Sequence, residues 1–200
     1  TNGVTTDVSF VDINNDGFQD IYLSKTMVGE IKYRENVLLV NNKNNTFTNK
    51  AKEYGIADAG YSNQSVFFDY DNDGYLDLYV SSGSNEFENG EIYQYRVYIN
   101  DGKGNFVRKK DVLPIITTST SCVTPIDYDN DGDMDLFIGG FAKRNNYPLS
   151  EKSWLLQNDN GKFIDKTDLL PNNGDLGIVN DAIAFSNNEL IIVGEWMNII

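Results

Sequence analysis

Asp69-Tyr70-Asp71-Asn72-Asp73-Gly74-Tyr75-Leu76-Asp77 occurs in three versions along the chain. The earlier one is Asp12-Ile13-Asn14-Asn15-Asp16-Gly17-Phe18-Gln19-Asp20 and the later one Asp127-Tyr128-Asp129-Asn130-Asp131-Gly132-Asp133-Met134-Asp135, at spacings of 57 and 58 residues. A fixed period of this length marks a repeat architecture and takes precedence over local readings. A second element keeps the same beat. Val37-Leu38-Leu39-Val40-Asn41 is followed by Phe47, Val97-Tyr98-Ile99-Asn100 by Phe106, and Trp154-Leu155-Leu156-Gln157-Asn158 by Phe163. Each is an apolar run, a polar turn and a returning aromatic, which reads as a hairpin.

The acidic loops have strand-like flanks. Val8–Val11, Ser65–Phe68 and Val123–Ile126 lead in, and Ile21–Leu23, Leu78–Val80 and Leu136–Ile138 lead out. Short runs of aromatic and β-branched residues bounded by turn signals favour strands. One unit is therefore two hairpins in about 58 residues, and four-stranded units at such a period are propeller blades. The expected fold is an all-β propeller with blade units at 5–60, 61–118 and 119–177, and an incomplete fourth at 178–200. In the fourth, Ala182 to Gly194 keeps both strands, but a short turn replaces the acidic nonapeptide. Three and a half blades are fewer than a ring needs. The expectation is a piece of a longer protein, completed by its remaining blades or by another copy.

Positions 1, 3, 5 and 9 of each loop carry carboxylate or amide oxygens, position 7 offers a backbone carbonyl, and position 6 is a glycine suited to positive φ. This spacing wraps a chain around one hard cation of calcium size. The predicted ligands are Asp12, Asn14, Asp16, the Phe18 carbonyl and Asp20 in the first loop. They are Asp69, Asp71, Asp73, the Tyr75 carbonyl and Asp77 in the second, and Asp127, Asp129, Asp131, the Asp133 carbonyl and Asp135 in the third. An EF-hand would place a bidentate Glu at position 12, where this chain has Leu23, Val80 and Ile138. A hairpin turn alone needs two or three such residues. Five oxygen positions in register three times call for a metal, so three Ca2+ sites are expected. Asn14 removes one acid, so the first loop should be the weakest.

The composition agrees. Of 200 residues 26 are Asn and 21 Asp, with net charge -14, no His and one Cys. Twelve of the Asp lie in the three loops. Nucleic-acid binding through a basic surface is excluded, as are His-dependent triads, imidazole zinc sites and an internal disulfide. Cys122 reads as a small apolar residue on an inner strand. No apolar run reaches the roughly 18 residues of a membrane helix, so no membrane insertion is expected. Asn44-Asn45-Thr46 and Asn63-Gln64-Ser65 match the glycosylation tripeptide.

At these residues the chain resembles the FG-GAP and VCBS repeat families, which include the integrin α-subunit propellers. The likeness is closest to the propellers of cartilage acidic protein and its bacterial relatives with a UnbV-type tail. Phe67 to Gly74, Glu53-Tyr54-Gly55-Ile56-Ala57-Asp58 and Val193-Gly194-Glu195-Trp196-Met197 carry it. The resemblance implies a propeller, usually of seven blades, with calcium in the hairpin turns, on secreted or surface proteins concerned with adhesion, recognition or scaffolding.

If strands run up and down within a blade, the acidic loops lie at one end and long connectors at the other. The connectors Ser24 to Asn36, Ser81 to Tyr95 and Gly139 to Ser153 differ from one another. Variable loops on a regular scaffold are where recognition resides, and Tyr and Arg are common anchors. The candidate protein- or glycan-binding residues are Tyr33, Arg34, Tyr93, Tyr95, Arg96, Lys143, Arg144 and Tyr147. The expected role is a non-catalytic extracytoplasmic module, since weak calcium sites need millimolar metal. The alternatives are a lectin or a propeller-based polysaccharide lyase or hydrolase, which would need paired acids. Off the loops, Asp7, Glu91, Asp181 and Glu195 show no pairing.

Overall fold

The computed structural model describes residues 3–26, 30–84, 90, 93–186 and 189–197. The strands are β1 (Val4–Val11), β2 (Asp20–Thr26), β3 (Val37–Asn41), β4 (Phe47–Asn49), β5 (Ser62–Phe68), β6 (Asp77–Ser82) and β7 (Arg96–Asn100). They continue with β8 (Phe106–Lys109), β9 (Thr120–Ile126), β10 (Asp135–Gly140), β11 (Trp154–Asn158), β12 (Phe163–Asp165), β13 (Ile178–Ser186) and β14 (Glu189–Glu195). They form antiparallel sheets in sequence order, β1 to β4, β5 to β8 and β9 to β12, followed by a two-stranded β13–β14 hairpin. This is a partial β-propeller, three four-stranded blades and a two-stranded fourth. The lead-out strands run further than their apolar cores predict, to Thr26, Ser82 and Gly140. Ser24 shows why: it is buried and its hydroxyl shares a 2.7 Å hydrogen bond with that of Ser65 on the next blade.

Strand alternation gives each blade two apolar faces, and neighbouring blades bury them against each other. Val11, Tyr22, Leu38 and Val40 of the first blade pack on Leu78, Val80, Tyr98 and Phe106 of the second, with Ala51 and Ile56 from the connector. Phe68, Tyr79 and Val97 meet Leu136, Ile138, Leu156 and Phe163 in the same way. Cys122 and Phe137 meet Leu176 and Val179. Cys122 is thus buried on β9, and desolvation pushes its thiol up to about 11. Each large side chain contributes roughly 1.5–3 kcal/mol on burial, so the blade faces dominate the cohesion.

The inner strands β1, β5, β9 and β13 present unpaired backbone groups to one another, which must find partners. Side chains supply them. Thr6 and Ser9 donate to the carbonyls of Ser62 and Ser65 at 3.0 and 2.8 Å. Asn63 donates to the carbonyls of Thr120 and Ser121 at 2.9 and 2.7 Å. Gln64 Oε1 accepts from Val123 N–H at 2.6 Å, and Thr124 donates to the Ala182 carbonyl at 2.8 Å.

A buried ion pair closes the connector side between the first two blades. Arg96 on β7 lies 2.8 Å from Asp58, with their side chains 4% and 7% exposed. Tyr98 donates to the same carboxylate, Gly60 N–H caps its other oxygen, and Arg96 also donates to Ser62 and Ser82. Removing one partner of such a pair strands a charge in low dielectric. Asp58→Ala should cost about 3–5 kcal/mol, read as a lower urea midpoint at unchanged slope.

Candidate metal centres

The acidic loops share much of their internal wiring. In the first two the position-1 carboxylate accepts two N–H groups of its own loop: Asp12 from Asp16 and Gly17 at 3.0 and 2.8 Å, Asp69 from Asp73 and Gly74 at 3.1 and 2.9 Å. Position 5 accepts from position 7, at 3.0, 2.9 and 2.8 Å for Asp16, Asp73 and Asp131. Two residues per loop are left-handed. The glycines Gly17, Gly74 and Gly132 have φ of 85, 89 and 93°, as the sequence predicts, and Asn15, Asn72 and Asn130 have φ of 53, 59 and 60°. The second set was legible too, since position 4 is Asn in every loop and Asn tolerates this region.

Position 9 does more than the sequence reading assigned to it. Asp20, Asp77 and Asp135 are almost fully buried. One oxygen of each accepts from position 2 of its loop, Ile13, Tyr70 or Tyr128, at 3.2, 2.9 and 3.0 Å. The other accepts the N–H of Asn41, Asn100 or Asn158 at the end of the third strand, at 2.7, 2.7 and 2.8 Å. The carboxylate therefore staples both hairpins of its blade.

In the second loop Asp69, Asp71 and Asp77 each offer an oxygen, all within 4.8 Å of one another, and Asp127, Asp129 and Asp135 do the same in the third. Asp127 Oδ1 is buried with no hydrogen-bond partner among the described residues. An all-oxygen donor set with an orphaned carboxylate oxygen fits a hard cation. The electrostatics agree. Desolvation, aided by neighbouring aspartates, pushes Asp77 and Asp135 up to about 6 and raises Asp20 and Asp71 above the ordinary carboxylate value. Neighbouring side chains brace the third loop: Asp133 accepts from Asn72 of the second loop at 2.6 Å, and Gln157 donates to Asp129.

The first loop differs. Asn14 takes the place of the third converging carboxylate, and Lys43 lies 3.1 Å from Asp16 with its ammonium 5.3 Å from the centre of the Phe18 ring. Burial pushes Asp16 up, but hydrogen bonds from Lys43 and Phe18 N–H outweigh it and leave its pKa below the ordinary value. Nothing in the sequence reading anticipated Lys43.

The connector face corrects part of the expected ligand surface. Tyr93, Tyr95 and Arg96 are buried and unavailable to a ligand. Tyr93 donates to the Ser84 carbonyl at 2.9 Å, Tyr95 packs on Tyr79 with ring centres 5.8 Å apart, and Arg96 holds Asp58. Tyr33 and Arg34 are half-buried. Lys32 covers the Tyr33 ring, and Arg34 donates to the Ala59 carbonyl and stacks on Tyr61 at 4.7 Å. Lys143 and Tyr147 are exposed and Arg144 half-buried. Tyr147 donates to Glu195 at 2.8 Å and accepts from the Trp196 indole at 2.9 Å, an aromatic pairing that the sequence reading missed. Asp7 accepts from Ser65 N–H at 3.1 Å and so bridges two blades. It lines a central cleft with Asp181. Glu91 and the turn at 187–188 lie outside the described residues.

These pKa shifts fix a pH dependence. Without metal, folded Asp77 and Asp135 hold a proton up to about pH 6, whereas unfolded they lose it near 3.8. Folding therefore takes up protons between those values. Chelated protein should become more stable as pH falls from 7 to 5, and calcium stabilisation should shrink over the same range because protons and metal compete. Thermal denaturation at three pH values, with chelator and with calcium, measures both trends.

The comparison with known families completes the picture. A family model described as FG-GAP-like repeat matches residues 12–80 and 85–138. No curated protein matches the sequence. The matched segments take in all three acidic loops and cover more than half of the chain, which therefore belongs to the FG-GAP-like repeat family.

Proposed function

We propose that the chain is a calcium-stabilised propeller segment that serves outside the cytoplasm as a non-catalytic recognition, adhesion or scaffolding module for a protein or glycan ligand. The observation that carries this reading is the convergence of three carboxylates in each of the second and third loops. Left bare, such clusters repel; a divalent ion neutralises them and couples metal binding to blade folding. Weak sites of the kind found in extracellular modules need calcium near the millimolar range, which is the ground for an extracytoplasmic setting. No helix among the described residues is long and apolar enough to cross a membrane.

The ligand would meet the connector face, where Arg34, Lys143, Arg144 and Tyr147 retain exposure. A second kind of partner is implied by the two end faces. Val8 and Phe10 on β1 occupy positions that Ser65 and Phe67 occupy on β5, yet are 49% and 67% exposed. On the hairpin, Ile183, Phe185, Ile191 and Val193 are exposed as well. Both are blade-to-blade faces, suited to further blades of a parent chain or to another copy.

Calorimetric titration with Ca2+, paired with thermal denaturation, tests the calcium reading. Metal at 100 times its Kd adds about 2.7 kcal/mol per site, a rise of roughly 5–10 °C in Tm. Asp69→Asn combined with Asp127→Asn should abolish most of that rise. No heat of binding and no shift at 5 mM calcium, an amount of roughly the extracellular order, would sink it.

A further inference from the structure

Lys43 stands in a position its counterparts do not share. It lies two residues beyond Asn41, and the residues two beyond Asn100 and Asn158 are Gly102 and Asn160. All three are left-handed, with φ of 62, 70 and 52°. In the six hairpin turns of the three complete blades, every other left-handed residue is Asn or Gly. A lysine there works against its own Cβ, so something must hold it. The turn fixes its backbone: Lys43 N–H donates to Asn41 Oδ1 at 2.9 Å, and Asn42 donates to Thr46 at 2.9 Å. Its side chain then crosses to the neighbouring acidic loop, with the ammonium at Asp16 and over Phe18, positions 5 and 7 of that loop.

The charges balance differently from blade to blade. The first loop carries three aspartates, the second four and the third five. Lys103 and Lys162, in the equivalent turns of the other two blades, make no ion pair among the described residues. In the second blade the space is taken instead by the Tyr75 ring, which lies so close over Gly102 that a Cβ there would sit 2.5 Å from it.

Building on the calcium reading above, we propose that Lys43 is the built-in cation of the first loop. Its ammonium neutralises Asp16 where calcium neutralises the second and third loops, so the first blade closes without metal. Asn14 and Lys43 act together, one removing a negative charge and the other adding a positive one.

The test compares wild type, Lys43→Gly, Lys43→Arg and the double variant Asn14→Asp with Lys43→Gly. Glycine is the residue of the equivalent blade-two position and suits the backbone, so that variant should fold. Calcium calorimetry should give two ions per wild-type chain. Lys43→Gly should tighten binding at a third site roughly tenfold, the scale of removing one unit charge a few ångströms from a divalent ion in water. The double variant should tighten it further, and Lys43→Arg should behave as wild type. Hydrogen exchange gives an independent readout: on chelation, amides at 69–77 and 127–135 should lose protection while those at 12–20 keep it, except in Lys43→Gly. Three equal sites in wild type, or a Lys43→Gly variant with unchanged stoichiometry and protection, would overturn the role of Lys43 and leave calcium binding intact. No calcium binding by any variant would overturn both.

Discussion

The last carboxylate of each acidic loop sits where the two hairpins of a blade meet, and it accepts from both. Asp20, Asp77 and Asp135 each tie the second residue of the loop to the end of the third strand. A neutral side chain could make one of these bonds, but only a carboxylate offers two acceptor oxygens in one plane to two N–H groups from different strands. The blade needs a buried anion at that point, and a buried anion is expensive unless positive charge is near. The remaining loop oxygens follow from this requirement. In the second and third loops the carboxylates of positions 1 and 3 converge on the same spot, so the group that fixes the blade is also a group that a cation would hold.

Between blades the cohesion is of another kind. Apolar faces such as Tyr22 on Leu78 or Tyr79 on Leu136 supply area, while Thr, Ser, Asn and Gln side chains answer the backbone groups that the inner strands cannot pair. The Arg96 and Asp58 pair is a third device, tying the connector that carries Asp58 to the start of β7.

Much of this was legible in the sequence. The 58-residue beat, the aromatic and β-branched runs and the loop glycines predict four-stranded blades, and the blades are there. Cys122 packs as its lone occurrence implies. The connector residues were less readable, because a Tyr or Arg in an irregular segment has no periodicity to say which way it points. Tyr93, Tyr95 and Arg96 were assigned to a ligand face and are instead buried. The inner-strand bridges left a trace in Ser9, Asn63, Gln64 and Thr124, polar residues inside strands, but their partners lie 56–59 residues away. The Lys43 contact with Asp16 was hidden for another reason, since it depends on a turn geometry that only the folded chain reveals.

The side-chain bonds between inner strands carry a consequence for how such a chain changes over evolutionary time. A continuous backbone ladder from blade to blade would demand a fixed register along its whole length. A handful of hydroxyl, amide and carboxylate contacts demands only that the next blade present a carbonyl or an N–H at about the right height. Each unit of about 58 residues can therefore be copied, lost or exchanged as a cassette, and its acidic loop can drift, as the hairpin of the fourth unit has, at the cost of few contacts to its neighbours.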